Sequence, residues 1–222
     1  MAIKGGLFRI RQIDIHIRNS NDTHAFQRWM GGLESELKNY RQQNIWSVHL
    51  DELAKGLARV TWIQSFEIVR HYPNTLVIEL ETVEPIALYL NNSGELALLG
   101  KRGELLPPIL KDEALELPLV QVNALVQRPD TRGKIAALLN QLPREGKFSL
   151  KNMSDVFLGT TGDIWLTHAR THSQIRLGEQ NIPIRSARVS KVVDYLESNK
   201  LNWRVIDADY SKKVLVRLRN DR

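Results

Sequence analysis

Residues 66–89 read FEIVRHYPNTLVIELETVEPIALY, and no other stretch restricts the fold of this chain as much. Two extended runs are joined through Pro73-Asn74, and Pro85 closes the second just before a new apolar run. Proline holds φ at about −65°, which suits the first central position of a type I turn. In the second run Leu76, Ile78 and Leu80 share one face, and Val77, Glu79 and Glu81 share the other. Side chains alternate along a strand, so the pattern predicts one buried and one wet face, as in an antiparallel sheet with helices on one side.

The segment before this hairpin completes a small unit. FRIRQIDIHI (residues 8–17) alternates too, with Phe8, Ile10, Gln12, Asp14 and His16 opposite Arg9, Arg11, Ile13, Ile15 and Ile17. Its apolar side changes midway, which predicts a strand with a bulge. NSND supplies turn residues, and Asp22 or Thr23 caps a helix whose stripe is Phe26, Trp29, Met30, Leu33 and Leu37. A shorter helix carries Leu50, Leu53, Ala54 and Leu57, with Asp51 and Glu52 in the first turn, where the helix dipole favours acids. The order is strand, helix, helix, strand, strand.

After Pro85 the pattern changes. IALYL, ELALLG, GELLPP and LPLVQV are short extended pieces. RPDTRGKIAALLNQLP predicts a helix between prolines, with Ile135, Leu138, Leu139 and Leu142 apolar. DVFLGTTGDIWLTHA reads as a hairpin and SQIRLG as a strand. IPIRSARVSKVVDYLESNK is an amphipathic helix on Val189, Val192, Val193 and Leu196, and WRVIDADYSKKVLVRL closes with two strands about a tight turn.

The 222 residues are 42% apolar and 25% charged, enough for one large domain or two small ones with cores of their own. There is no cysteine, so disulfides and thiolate chemistry are excluded, which fits either the cytosol or a bacterial periplasm. No run approaches the ~20 apolar residues of a membrane span, and no signal peptide is visible. The net charge of +6 raises a nucleic-acid or anionic-surface reading beside that of a mildly basic solvated surface.

Catalytic signals are weak. His168 and His172 stand four apart in HARTH, but no glutamate or third ligand accompanies them, and they read as surface histidines. Asp207 and Asp209 in DAD resemble acidic pairs that hold a divalent cation in sugar-transfer enzymes, yet their place before a turn suits solvent-facing or capping acids better. GTTGD lacks the spacing of a phosphate loop. Glu79, Glu81 and Glu84 read as solvated edge charges that discourage unwanted strand pairing. Trp29, Trp46, Trp62, Trp165 and Trp203 are dispersed, unlike a stacking platform for bases. The expectation is a non-enzymatic binding protein without cofactor or metal.

The residues DELAKGLARVTWIQSFEIVRHYPNTLVIELETVEPIALY resemble the polypeptide-transport-associated (POTRA) domain and following junction of the bacterial cell-division FtsQ/DivIB family. The likeness rests on Trp62-Ile63, Val69-Arg70, Tyr72-Pro73-Asn74-Thr75-Leu76, Ile78, Glu81, Glu84 and Pro85-Ile86-Ala87. Tyr72 stands where the family prefers tryptophan, Thr82 near a common arginine, and Gly100 in place of an aspartate in LLGKRGELL. The resemblance extends through SQIRLGEQNIPIRSARVSKVVDYL and WRVIDADYSKKVLVRL. It implies an α+β fold, with a POTRA domain over 7–84 and a larger mixed β-domain over 85–222 that has a curved antiparallel sheet and flanking helices.

The resemblance also implies a divisome scaffold at the septum, on the periplasmic side of the inner membrane, that helps control septal peptidoglycan synthesis. Its partners would be FtsB- and FtsL-type proteins, with others on the POTRA domain, and a partner strand would add to the last strand of the β-domain. By matching position, Tyr210 would anchor the partner, Val214 and Val216 would line the edge, and Asp209, Lys212, Lys213 and Arg217 would set charge preference. The family begins with a cytoplasmic tail and one transmembrane helix, which these residues do not show. The alternative is a POTRA-type module of outer-membrane assembly or secretion, which should precede a barrel.

Overall fold

The computed structural model describes residues 7–19, 23–91, 93–121, 128–159 and 162–219. The expected cap at Asp22, the tip Thr160-Thr161 of GTTGD and the end of LPLVQV lie outside them. The chain divides into two compact units, Met1–Glu84 and Pro85–Arg222. Both are α+β, with four helices and twelve strands in two mixed sheets among the described residues.

The first unit holds β1 (Gln12–Ile17), α1 (His24–Leu37), α2 (Leu50–Leu57), β2 (Ile63–His71) and β3 (Thr75–Thr82). Thr23 caps α1, its Oγ1 accepting the Phe26 N–H at 3.5 Å. The stripe Phe26, Trp29, Leu33 and Leu37 is buried, with Leu53 and Leu57 of α2 and Trp62. Phe26 meets Trp29 edge-on at 4.9 Å, and Trp29 stacks on Trp62 at 6.4 Å. The sheet order is β1-β3-β2, with β3 parallel to β1 and antiparallel to β2. Leu76, Ile78 and Leu80 are fully buried as the alternation predicts.

Three local expectations change. The segment 8–17 is not one bulged strand. β1 begins at Gln12, while the Ile10 N–H donates to Gln43 O (2.9 Å) and the Ile45 N–H to Phe8 O (2.8 Å). The apolar side therefore switches where the backbone changes partner. Second, β3 is the central strand, so its acids do not guard an edge, and Val77 is buried on the face expected to be wet. Glu79 lies directly opposite Glu67, a repulsive placement. Arg18 relieves it, with Nη2 at 2.8 Å from Glu67 and Nε donating to Glu79 at 2.8 Å, while Glu81 accepts the Ser65 hydroxyl at 2.8 Å. Third, the hairpin loop Tyr72-Pro73-Asn74 contains a cis Tyr72–Pro73 bond.

The second unit holds β4 (Pro85–Leu90), β5 (Leu96–Gly100), β6 (Leu105–Ile109), β7 (Leu119–Val120), α3 (Pro129–Leu139), β8 (Met153–Leu158), β9 (Ile164–His168), β10 (Gln174–Gly178), α4 (Ile182–Ser198), β11 (Trp203–Asp207) and β12 (Leu215–Leu218). They form one nine-stranded sheet in the order β12-β11-β10-β9-β8-β7-β4-β5-β6. An antiparallel sheet was expected, but β10–β11, β4–β7 and β7–β8 are parallel. Parallel neighbours need a long crossover, usually a helix. Here α4 lies between β10 and β11 and α3 between β7 and β8.

One register row runs the width of the sheet through Pro108, Ala97, Tyr89, Val120, Val156, Leu166, Ile175, Ile206 and Val216. From Tyr89 to Ile206 it joins Ile135 and Leu139 of α3 and Val189, Val193 and Leu196 of α4 in a single buried core. The helices cover this face. A second row, Phe157, Trp165, Arg176, Asp207 and Leu215, belongs to the opposite face.

His168 was expected at the surface but is 2% exposed. It ends β9 rather than starting a helical pair, and its ring meets Trp203 edge-on at 5.8 Å. The Thr171 N–H donates to Nδ1 at 3.4 Å and Nε2 lies 3.4 Å from Lys147 O, an arrangement that suits the neutral ring with its proton on Nε2. Burial lowers the His168 pKa below its ordinary 6.5, against the pull of the Lys147 carbonyl and the Glu197 charge. Below pH 6.5 the unfolded chain therefore binds more protons here than the folded one. The stabilisation is complete above 6.5 and declines as the pH falls toward the folded pKa. Urea midpoints at pH 7.5 and 5.5 should differ less in His168→Gln than in the parent chain.

Candidate functional site

The outer edge of the large sheet is β12. It pairs antiparallel with β11, with Leu218 opposite Trp203, Arg217 opposite Val205, Val216 opposite Ile206 and Leu215 opposite Asp207. The register shifts between Trp203 and Val205, so the strand pair carries a bulge. On its other side β12 has no neighbouring strand among the described residues. Alternation decides which side chains it presents. Val214 and Val216 pack against the core, whereas Leu215 (41% exposed), Arg217 and Leu218 (49%) face solvent. The valines of the expected edge set thus seat the strand, and the leucines between and after them meet solvent. The parity of VLVRL held this signal for Leu215 and Arg217, once Val216 is taken as the inward partner of Ile206, whereas Leu218 shares the parity of the valines and is exposed at the strand's end.

A seven-residue loop, 208–214, joins β11 to β12 in place of the tight turn expected from the sequence. Three arginines fix it. Arg176 of β10 reaches Asp207 at 3.5 Å and Asp209 at 3.2 Å. Arg185 of α4 reaches Asp209 at 2.7 Å and also donates to Leu177 O at 2.6 Å. Arg188 donates to Ser211 O at 2.7 Å. Arg176 is held in turn by Asp163 at 2.6 Å and lies over the Trp165 ring, and the Trp165 indole N–H donates to the same Asp163 carboxylate at 2.7 Å. The Asp163 hydrogen bond, opposed by burial, raises the Arg176 pKa, and the charges of Asp163, Asp207 and Asp209 add to it.

This network settles where each expected residue lies. The Asp209 carboxylate turns inward to Arg176 and Arg185, so it anchors the loop. Both acids of DAD face arginine, and no group of three His, Cys, Asp or Glu side chains gathers for a metal among the described residues. Tyr210 is exposed on the loop with Lys213 Nζ 5.3 Å from its ring centre, and Lys212 beside it is exposed as well. Sequence reasoning missed Arg176 and Arg185, because their acid partners lie 13 to 33 residues away and no local pattern announces the pairing.

A basic cleft of about 710 Å³ lies at the other end of the β11–β12 pair, lined by Lys147, Arg170, His172, Glu197, Lys200 and Arg219. The Arg219 N–H closes the strand end by donating to Asn202 O at 2.9 Å. Glu197 pairs with Arg170 at 2.5 Å and Lys147 at 3.5 Å. Burial pushes its carboxyl up, but those two cations outweigh it and hold the group below its ordinary value. Positive charge therefore frames the open strand at both ends.

The geometry defines a two-unit protein of the POTRA type, in which a three-stranded α+β unit precedes a wide sheet with an open terminal strand. Comparison with known proteins agrees. Residues 33–81 match the POTRA domain, FtsQ-type, and residues 87–209 match the family described as Cell division protein FtsQ/DivIB, C-terminal. The chain belongs to the FtsQ/DivIB family of cell-division proteins. Similar relatives named Cell division protein FtsQ come from Geotalea daltonii (22% identical over 82% of this chain), Myxococcus fulvus (24% over 75%) and Anaeromyxobacter sp. (26% over 73%). The aligned regions span 73%, 60% and 57% of those relatives. The family match ends at Asp209, before β12. No helix among the described residues is long and apolar enough to cross a membrane.

Gly178 makes the loop anchor possible. It ends β10 with φ +71°, and a Cβ there would collide with the Asp209 carboxylate and the Arg185 guanidinium. Gly178→Ala should destabilise the chain by about 1–3 kcal/mol, combining left-handed strain with the displaced ion pair. A urea melt would read the loss, and amide exchange should show it concentrated in 208–214.

Proposed function

We propose that this chain is a non-enzymatic scaffold of the division machinery, acting on the periplasmic side of the inner membrane at the septum. It binds FtsB- and FtsL-type partners through the β12 edge and helps control septal peptidoglycan synthesis. The POTRA unit is left to engage other division proteins. The observation that carries this reading is the open side of β12, a strand end with exposed Leu215, Leu218 and Tyr210 beside it.

Strand addition uses the backbone groups of such an edge for affinity and the neighbouring side chains for selection. Val214 and Val216 hold β12 on the core, so the template is ordered before a partner arrives. Pre-ordering lowers the entropy that association must overcome. Tyr210 is a semi-rigid aromatic of the kind enriched at interface hot spots. Lys212, Lys213 and Arg217 favour an acidic partner segment, while Asp209 acts from within by holding the loop.

Titration calorimetry of the chain against the extracytoplasmic parts of its own FtsB and FtsL counterparts tests this. Tyr210→Ala should weaken binding by about 2 kcal/mol, roughly thirtyfold. Leu215→Ser should weaken it as well and leave the melting transition in place, because Leu215 is exposed. Absence of binding at micromolar concentration would overturn the partner assignment. Binding that neither substitution alters would move the site off β12.

A further inference from the structure

Trp46 is 60% exposed and Tyr72 is 51% exposed, and the two rings stack at 4.2 Å with 23° between their planes. Phe8 joins them at 6.2 Å from Trp46, and Leu7 beside it is also exposed. Large apolar side chains scattered singly over a surface are ordinary, whereas a contiguous exposed group marks an interaction site. This group is built rather than loose. Arg70 donates to Ile45 O at 2.8 Å and to Val48 O at 3.1 Å, binding the segment that carries Trp46 to β2. Asn44 Oδ1 accepts the Trp46 N–H at 2.9 Å, and the Ile45 N–H bonds to Phe8 O at 2.8 Å. Ile45, next to Trp46, is fully buried. Three separate segments are thus fastened together at one end of the unit with their aromatic rings turned outward.

The three segments carry charge of one sign. Residues 7–11, 39–49 and 70–76 contain no aspartate or glutamate. They contain Arg9, Arg11, Arg41 and Arg70, of which the first three are exposed, as is His71 beside Tyr72. Over residues 1–84 as a whole, Lys plus Arg and Asp plus Glu number ten each. The unit is therefore neutral but polarised, and its cationic end coincides with its exposed aromatic group.

Tryptophan and tyrosine favour the boundary between water and acyl chains, where an apolar ring body and a polar tip are both accommodated. Arginines around them are attracted to anionic headgroups. An anionic bilayer meets both features at once, with a polar–apolar boundary for the rings and phosphates for the arginines. We propose that this end of the first unit docks on the surface of an anionic lipid bilayer, with Trp46 and Tyr72 entering the headgroup region and the arginine rim contacting lipid phosphates.

The test is flotation of the full chain with vesicles of phosphatidylcholine containing about 30% phosphatidylglycerol, beside pure phosphatidylcholine. Binding to the anionic vesicles is expected, with a blue shift of tryptophan emission that Trp46→Phe removes. Its loss in Trp46→Phe assigns the shift, since Trp29, Trp62 and Trp203 are buried and Trp165 is half-buried with Arg176 over its ring. Trp46→Ser with Tyr72→Ser should lower binding about tenfold, and Arg41→Glu alone should lower it severalfold. A melting curve checks that each variant is folded. Equal binding to both vesicle types, absence of binding, or binding that survives the double substitution would overturn the proposal. The last result would mean adsorption through the second unit, where the excess positive charge lies.

Discussion

The parallel pairing of β10 with β11 determines where the large sheet ends. A hairpin return from β10 would have placed an antiparallel neighbour there, with no helix needed. Instead α4 carries the chain back, and Val189, Val193 and Leu196 bury against the same face as Ile175 and Ile206. Once β11 lies parallel to β10, a single further return places β12 outermost. Val216 then fits opposite Ile206, and the last strand sits on the core with no strand on its far side among the described residues. The arginine network depends on this arrangement too. Arg176 and Asp207 are register partners across the parallel pair, and Arg185 reaches Asp209 from the first turns of the crossover helix.

Much of this was legible in the residues. Leu76, Ile78 and Leu80 alternate with period two, and Phe26, Trp29, Leu33 and Leu37 recur with helical period; both patterns are set by the backbone and hold wherever a core exists. What escaped is long-range. Val77 shows the same alternation as Glu79, yet it is buried. The order β1-β3-β2 made β3 central, and no local pattern gives that order. Arg18 meets Glu79 across 61 residues of chain. His168 ends a strand beneath Trp203, a contact that neither residue's neighbours foretell. The parallel crossovers were within reach, since both long helices of the second half stand between strands, the signature of a strand–helix–strand unit.

The candidate edge divides in the same way. Its position at the end of the sheet came from a resemblance that the family match supports through Asp209. The side-chain roles around it depend on a parity that only the register with β11 resolves. That register turns Leu215 and Arg217 away from the core, and beyond it the Asp209 carboxylate, read from sequence as part of the contact surface, pairs with Arg176 and Arg185.

The shortness of β12 and the cations around it bear on something else, the chain's behaviour toward its own copies. Two open edges brought together antiparallel would set Arg217 of each copy near the same strand, with Lys212, Lys213 and Arg219 close by. Like charges facing across a strand pair repel, and lysine at an edge is a common guard against such pairing. A four-residue strand offers few backbone hydrogen bonds to offset that repulsion. The edge is thus poorly suited to its own likeness, and its own charge guards a strand that would otherwise invite stacking into fibres.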